Sequence, residues 1–195
     1  MRSNAALSAK GKLPFFTSTK RNGTDADVYL VEGDAPQAPR LIAEVKGRVY
    51  PMAWNKEGTL ALVMRYVQIT ETYLYVLDIA KGTMTPLEAS PPAGSSLAGQ
   101  RAVRKIARGA ARFSPLDSDV VYFTSDEGGD FLSLYKLKRS TGQKELLTPT
   151  VRWDVTSFAI SPDGQTLVYK VNENGQTAIY VAPIDRPGEA KRVDV

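Results

Sequence analysis

One short pattern recurs four times along this 195-residue chain: an apolar-Tyr-apolar run, a polar turn carrying Gly or Pro, and a second short run. The copies are "DVYLVEGDAPQAPRLI" (27–42), "YLYVLDIAKGTMTPL" (73–87), "SLYKLKRSTGQKELL" (133–147) and "AIYVAPIDRPGEAKRV" (178–193). Their tyrosines are Tyr29, Tyr75, Tyr135 and Tyr180, separated by 46, 60 and 45 residues. An apolar residue follows each tyrosine by 12 or 13 positions: Leu41, Leu87, Leu147 and Val193. A repeat of this length cannot bury its own apolar face alone, so copies of it must stack.

A second run precedes each copy: "LPFFTST" (13–19), "TLALVMRY" (59–66), "DVVYFTSD" (119–126) and "TLVYKVNE" (166–173). All four are rich in β-branched and aromatic residues, which favour strands. Three are introduced by a turn after an apolar pair: "AWNKEG" (53–58), "RFSPLDSD" (112–119) and "AISPDG" (159–164); "LSAKG" (7–11) is a faint counterpart in the first unit. The repeating unit is therefore strand, turn, strand, hairpin, strand, turn, strand, about 45 residues long, which is the period of a β-propeller blade. The expected fold is all-β, with four blades of four antiparallel strands over residues 4–47, 48–90, 109–150 and 153–195. The longer second step carries an inserted loop, 89–108, rich in Pro, Gly and Ser, with one or two helical turns expected after Gly99. The Tyr and Leu columns are expected in the core between blades.

The chain holds no Cys and no His. That excludes disulfides, thiol nucleophiles, Ser-His-Asp chemistry and imidazole acid–base catalysis. No nucleophile elbow, phosphate loop or dinucleotide fingerprint occurs. No apolar run reaches the roughly 18 residues of a membrane helix. The first residues lack the apolar stretch of a signal peptide, so the cytoplasm is the default compartment. The net charge of +4 is mild, and no cofactor or catalytic residue is expected.

The residues that catch the eye read mainly as architecture. "SPDG" (161–164) has the composition of a tight turn: Pro presets φ, Asp bonds back to the chain and Gly tolerates positive φ. "SDEGGDF" (125–131) offers Asp126, Glu127 and Asp130 as Ca²⁺ ligands, but it sits where a blade hairpin belongs, as do "KRNG" (20–23) and "NENG" (172–175). Arg101, Arg104, Lys105 and Arg108, with Arg112 beyond, form the one basic cluster. On a helix the first four would share a face and offer a surface to an anionic partner, whereas a solvated loop is the favoured reading. Nucleic acid is not expected, because no aromatic residues are interleaved to stack bases. Trp54 and Trp153 are expected in core or blade-edge packing, with ligand stacking in a central funnel as the alternative.

The ordered set "YFTSDEGGDF", "RWDV" and "NENG", together with "ARFSP" and "ISPDGQTLVYK", resembles the N-terminal propeller of bacterial prolyl oligopeptidase-family serine peptidases, in their dipeptidyl or acylaminoacyl peptidase-like branch. The resemblance covers about residues 13–195. It implies a ring of about seven blades in front of an α/β-hydrolase domain that carries the catalytic Ser, Asp and His, none of which has a counterpart here. It implies a partial propeller, non-catalytic on its own, which in the parent peptidase gates the access of peptide substrates; it leaves a periplasmic setting open. "WNKEG" departs from the family's usual turn. Two other readings stand beside it: a free-standing TolB-like propeller acting as a binding scaffold, and a self-closed four-bladed ring with a small-molecule site. Four blades cut from a larger ring would leave apolar faces open to self-association or to a complementary fragment.

Overall fold

Four antiparallel sheets follow one another along the chain, each with its strands in sequence order. In the computed structural model, residues 5–7, 14–31, 38–88 and 105–193 are described. The first sheet holds β1 (Ala5–Leu7), β2 (Pro14–Ser18), β3 (Asp27–Leu30) and β4 (Arg40–Ala43). The second holds β5 (Arg48–Trp54), β6 (Leu60–Gln68), β7 (Glu71–Asp78) and β8 (Thr83–Pro86). The third holds β9 (Arg108–Phe113), β10 (Val120–Ser125), β11 (Ser133–Lys138) and β12 (Gln143–Leu146). The fourth holds β13 (Val155–Ile160), β14 (Thr166–Glu173), β15 (Gln176–Pro183) and β16 (Lys191–Val193), with a single 3-10 turn at Pro187–Glu189. The repeat thus folds as an all-β series of propeller-type blades. The third sheet starts at Arg108, one residue inside the segment read as an insertion; the helical turns expected after Gly99 fall outside the described residues up to 104, and 105–107 are irregular.

Alternation along each strand sends successive side chains to opposite faces. Because an inner blade has a neighbour on both sides, both faces must be apolar, and its central strands read as unbroken apolar runs. In β6, Ala61 and Val63 pack toward the first sheet with Phe15, Val28 and Leu30, while Leu62 packs toward the third with Phe113, Val121 and Phe123. In β10, Val121 and Phe123 face the second sheet, while Tyr122 joins Leu134, Phe158, Leu167 and Tyr169 between the third and fourth. Three apolar cores therefore lie between consecutive sheets. Each fully buried Leu, Phe or Val in them contributes about 1.5–3 kcal/mol of transfer free energy. Among the described residues, no core cluster and no strand pairing joins the first sheet to the fourth, the closure a four-bladed ring requires.

The tyrosines fall in register. Tyr29 pairs with Phe16, Tyr75 with Val63, Tyr135 with Phe123 and Tyr180 with Tyr169. The apolar column that follows them divides. Leu87 and Leu147 are buried at 8% and 1% exposure, but Leu41 and Val193 stand open at 38% and 37%. Leu41 is a displaced count: a register shift between Val28 and Tyr29 places Leu41 opposite Tyr29 and gives the core position to Ile42 and Ala43. Val193 points the same way as Leu87 and Leu147, opposite Ile179, onto a face that no sheet covers.

Candidate interaction surfaces

The basic segment does not form one cationic face over its described part. Arg101 and Arg104 lie outside the described residues. Lys105 is irregular and approaches Glu71 at 3.4 Å with its side chain 56% exposed. Arg108, at the start of β9, is turned inward at 11% exposure and pairs with Glu88 beyond β8. Its Nη1 also donates to the Thr72 carbonyl at 3.2 Å, and its amide donates to Thr72 Oγ1 at 2.5 Å. Arg112 donates to the Phe158 carbonyl at 3.2 Å, bridging the third and fourth sheets. Arg108 and Arg112 lie in the extended strand β9, where a solvated loop is the favoured expectation for the cluster, and their two side chains reach different neighbours.

Around Arg108 lies a charge cluster that the sequence did not announce. Lys144 of β12 bonds Glu88 Oε1 at 2.7 Å and also pairs with Glu127 of the β10–β11 hairpin. Its ammonium sits 5.8 Å from the centre of the Tyr135 ring. Burial opposes ionisation of Glu88, but Lys144 and Arg108 outweigh it and hold the carboxyl below the usual glutamate range. Burial likewise opposes the charge on Lys144, and its bonds to Glu127 and Glu88 more than restore it, raising its pKa. A second ion pair orders the first sheet: Arg21, exposed, grips buried Asp27 through two bonds of 2.6 and 3.0 Å, and Asp27 also accepts the Val45 amide at 3.0 Å. The Arg21 bond lowers the Asp27 pKa against the cost of burial.

The polar knots are joints. In "SPDG", the Gly164 amide bonds the Ser161 carbonyl at 2.8 Å with φ of +70° at Gly164, and Ser161 Oγ accepts the Thr166 amide at 2.9 Å. Asp163 is occupied by the Ser161 hydroxyl and the Gln165 amide, which together lower its pKa. Asn55 does the same service in "WNKEG", its Oδ1 accepting the Thr59 and Leu60 amides at 3.0 and 2.9 Å. In "NENG", Asn174 and Gly175 both take positive φ, 50° and 85°, the backbone of a primed hairpin turn. The acidic hairpin spreads its carboxylates: Asp126 accepts the Ala107 amide at 2.9 Å and Glu127 holds Lys144. Among the described residues, no group of three or more acidic side chains converges as a metal site.

The two tryptophans part company. Trp54 is buried and meets Phe15 edge to face at 5.0 Å. Trp153 is 41% exposed beside Phe131, with ring centres 6.0 Å apart, so it lies at the rim, outside the core. It lines an open cleft of about 320 Å³ with Arg152, Tyr169, Glu173, Tyr180 and Gly188. There Glu173 is taken by the Tyr180 hydroxyl at 2.5 Å and by Arg192 at 3.2 Å.

Among the described residues, no sheet covers the outer face of the first sheet or of the fourth, and both faces carry apolar side chains. On the first sheet, Phe16 and Tyr29 stack at 5.9 Å, half-buried, beside exposed Leu41. On the fourth, Val168, Ile179 and Val181 are half-buried beside Val193.

Solved structures share this architecture. A chain assigned as TolB from Agrobacterium tumefaciens matches with a TM-score of 0.71 and 18% identity, over 97% of this chain and 63% of its own. TolB from Acinetobacter baumannii matches with 0.70 and 17%, over 97% and 42%. Prolyl oligopeptidase B from Galerina marginata matches with 0.71 and 10%, over 99% and 27%. At these identities the likeness establishes the propeller fold, shared by TolB and by the N-terminal domains of prolyl oligopeptidases. The chain spans less than two thirds of the length of each. No family model and no curated protein matches it.

Proposed function

We propose that this chain supplies blades to a β-propeller that works as a non-catalytic scaffold, and that in a prolyl oligopeptidase-type peptidase such a ring, of about seven blades, gates peptide access to a hydrolase domain. The carrying observation is the pair of outer faces with apolar side chains that no sheet covers among the described residues, which supports reading the chain as a segment of a ring. The ordered "YFTSDEGGDF", "RWDV" and "NENG" motifs support the peptidase setting. A TolB-like binding scaffold is the second reading, and the open aromatic cleft at Trp153 favours it.

An antibody to this chain, used on lysate of its source cells treated with a fluorophosphonate probe, separates the two. Capture of a labelled serine hydrolase supports gating. Capture of an unlabelled protein overturns it in favour of the scaffold.

A further inference from the structure

We infer that the cleft at Trp153 binds an acidic peptide segment, with a glutamate or aspartate side chain held by Arg152 and a neighbouring apolar side chain laid against Trp153. This rests on the binding-scaffold reading and deepens it by naming the ligand. The cleft lies between the third and fourth sheets. Its tyrosines, Tyr169 and Tyr180, face the third sheet, so it is independent of what covers the outer face of the fourth.

Two joints of the chain make the case by comparison: the second sheet against the third, and the third against the fourth. Their parts correspond by register. Phe123 and Tyr135 stack at 5.8 Å in the third sheet, as Tyr169 and Tyr180 do at 5.3 Å in the fourth. Glu127 stands four residues beyond Phe123, and Glu173 four beyond Tyr169. Each is held by a cation from the last strand of its own sheet, Lys144 in β12 and Arg192 in β16. On the opposing sheets, the Leu87 amide donates to the Leu74 carbonyl and the Leu147 amide to the Leu134 carbonyl, both at 2.8 Å. The residues that follow, Glu88 and Thr148, are therefore counterparts.

The later joint lacks one carboxylate. At the earlier one, Glu88 reaches both Lys144 and Arg108, so Arg108 and Lys144 are balanced by Glu88 and Glu127. At the later one, Thr148 is short and its hydroxyl is occupied by the Leu134 amide at 2.9 Å. Val155, opposite Val171, stands where Arg108 stands opposite Ser125. The open cleft lies at this place, lined by Thr148, Tyr169, Glu173 and Tyr180. Arg152 enters it from the β12–β13 connection, exposed and without an ion-pair partner among the described residues. The one carboxylate of the lining, Glu173, is already taken by Tyr180 and Arg192. An incoming carboxylate restores the balance that Glu88 provides at the other joint. The guanidinium fork suits that planar group. Trp153, 41% exposed against Phe131, offers the aromatic surface for an adjoining apolar side chain. A volume of about 320 Å³ admits such a pair of side chains.

Calorimetric titration of the full chain with acetyl-glutamyl-phenylalanine amide and with its glutaminyl counterpart tests this. The glutamyl peptide should bind about 10-fold tighter or more, and its affinity should fall as salt is raised. Arg152→Gln should abolish that preference and Arg152→Lys should keep part of it, with circular dichroism checking the fold of both. In the unmodified chain, the glutamyl peptide should shield the readily quenched emission of Trp153 from acrylamide, which locates the site without any variant. Equal affinity for the two peptides, no binding of either at millimolar concentration, an unchanged preference in folded Arg152→Gln, or binding that leaves Trp153 as quenchable as before would each overturn the site. A glutaminyl peptide with a free terminal carboxylate that binds as tightly as the glutamyl amide would overturn the side-chain assignment in favour of a chain terminus. None of these outcomes alters the antibody capture that decides between scaffold and peptidase gating, so the two failures are distinguishable.

Discussion

Arg108 donates two hydrogen bonds to one oxygen of Glu88, at 2.9 and 2.6 Å, and so fastens the end of the second sheet to the first strand of the third. Lys144 holds the other oxygen of Glu88 at 2.7 Å. Both cations lose their common partner in Glu88→Ala, which should cost about 2–3 kcal/mol in chemical denaturation. Lys105→Gln, which removes only an exposed 3.4 Å approach to Glu71, should cost less than about 0.5 kcal/mol. Equal effects of the two would refute the inward role of Arg108.

The same carboxylate fixes a pH dependence. Glu88 has a lower pKa folded than unfolded, so its contribution is fully present above the unfolded glutamate value of about 4.3. It is lost as pH falls through the lower folded value. Denaturant titrations between pH 6 and pH 3, an interval set to bracket that range, should show a steeper acid loss in the native chain than in Glu88→Gln. Parallel curves would remove Glu88 from the account.

What could be read in advance was what lies close in sequence. Alternation and turn composition are local, so the strands, the primed turn at Asn174–Gly175 and the in-register tyrosines could be foreseen. Leu41 could not be placed, because the register shift beside Val28 moves the core position to Ile42 without leaving a mark in composition. The Arg108–Glu88–Lys144 cluster joins residues 20 and 56 positions apart, and only stacking of the blades brings them together. For Trp153 the expectation left core and blade edge open, and only the fold chooses the edge, where it packs on Phe131. Its neighbour Asp154 turns the chain toward the third sheet, accepting the Leu132 amide at 2.8 Å, and leaves the indole at the rim.

The contrast between the tryptophans is measurable by fluorescence. These two are all the tryptophan the chain has. Trp153→Phe should leave the blue-shifted emission of buried Trp54, poorly quenched by iodide or acrylamide. Trp54→Phe should leave a redder, readily quenched signal. Similar quenching in both variants would contradict the difference between 8% and 41% exposure.

A buried hydroxyl offers a gain in stability. Thr124 Oγ1 is buried without a protein hydrogen-bond partner. Thr124→Val keeps the shape and removes the unmet polar group, so it should stabilise the chain by about 1 kcal/mol. The opposite result is expected at Gly109, where an added Cβ would lie 2.6 Å from that same oxygen. Gly109→Ala should cost about 1–3 kcal/mol through overpacking. A loss of stability in Thr124→Val would mean that the hydroxyl has a partner.

Register equivalence makes the last prediction the most direct. Leu62 and Val168 occupy the same place in their blades, one covered by the third sheet and the other, among the described residues, by none. Leu62→Ala should cost about 3 kcal/mol, as expected for a cavity in a packed core. Val168→Ala, measured in denaturant, should cost less than about 1 kcal/mol, because part of that side chain is already in water. A cost at Val168 as large as that at Leu62 would mean that this face is covered in the folded chain.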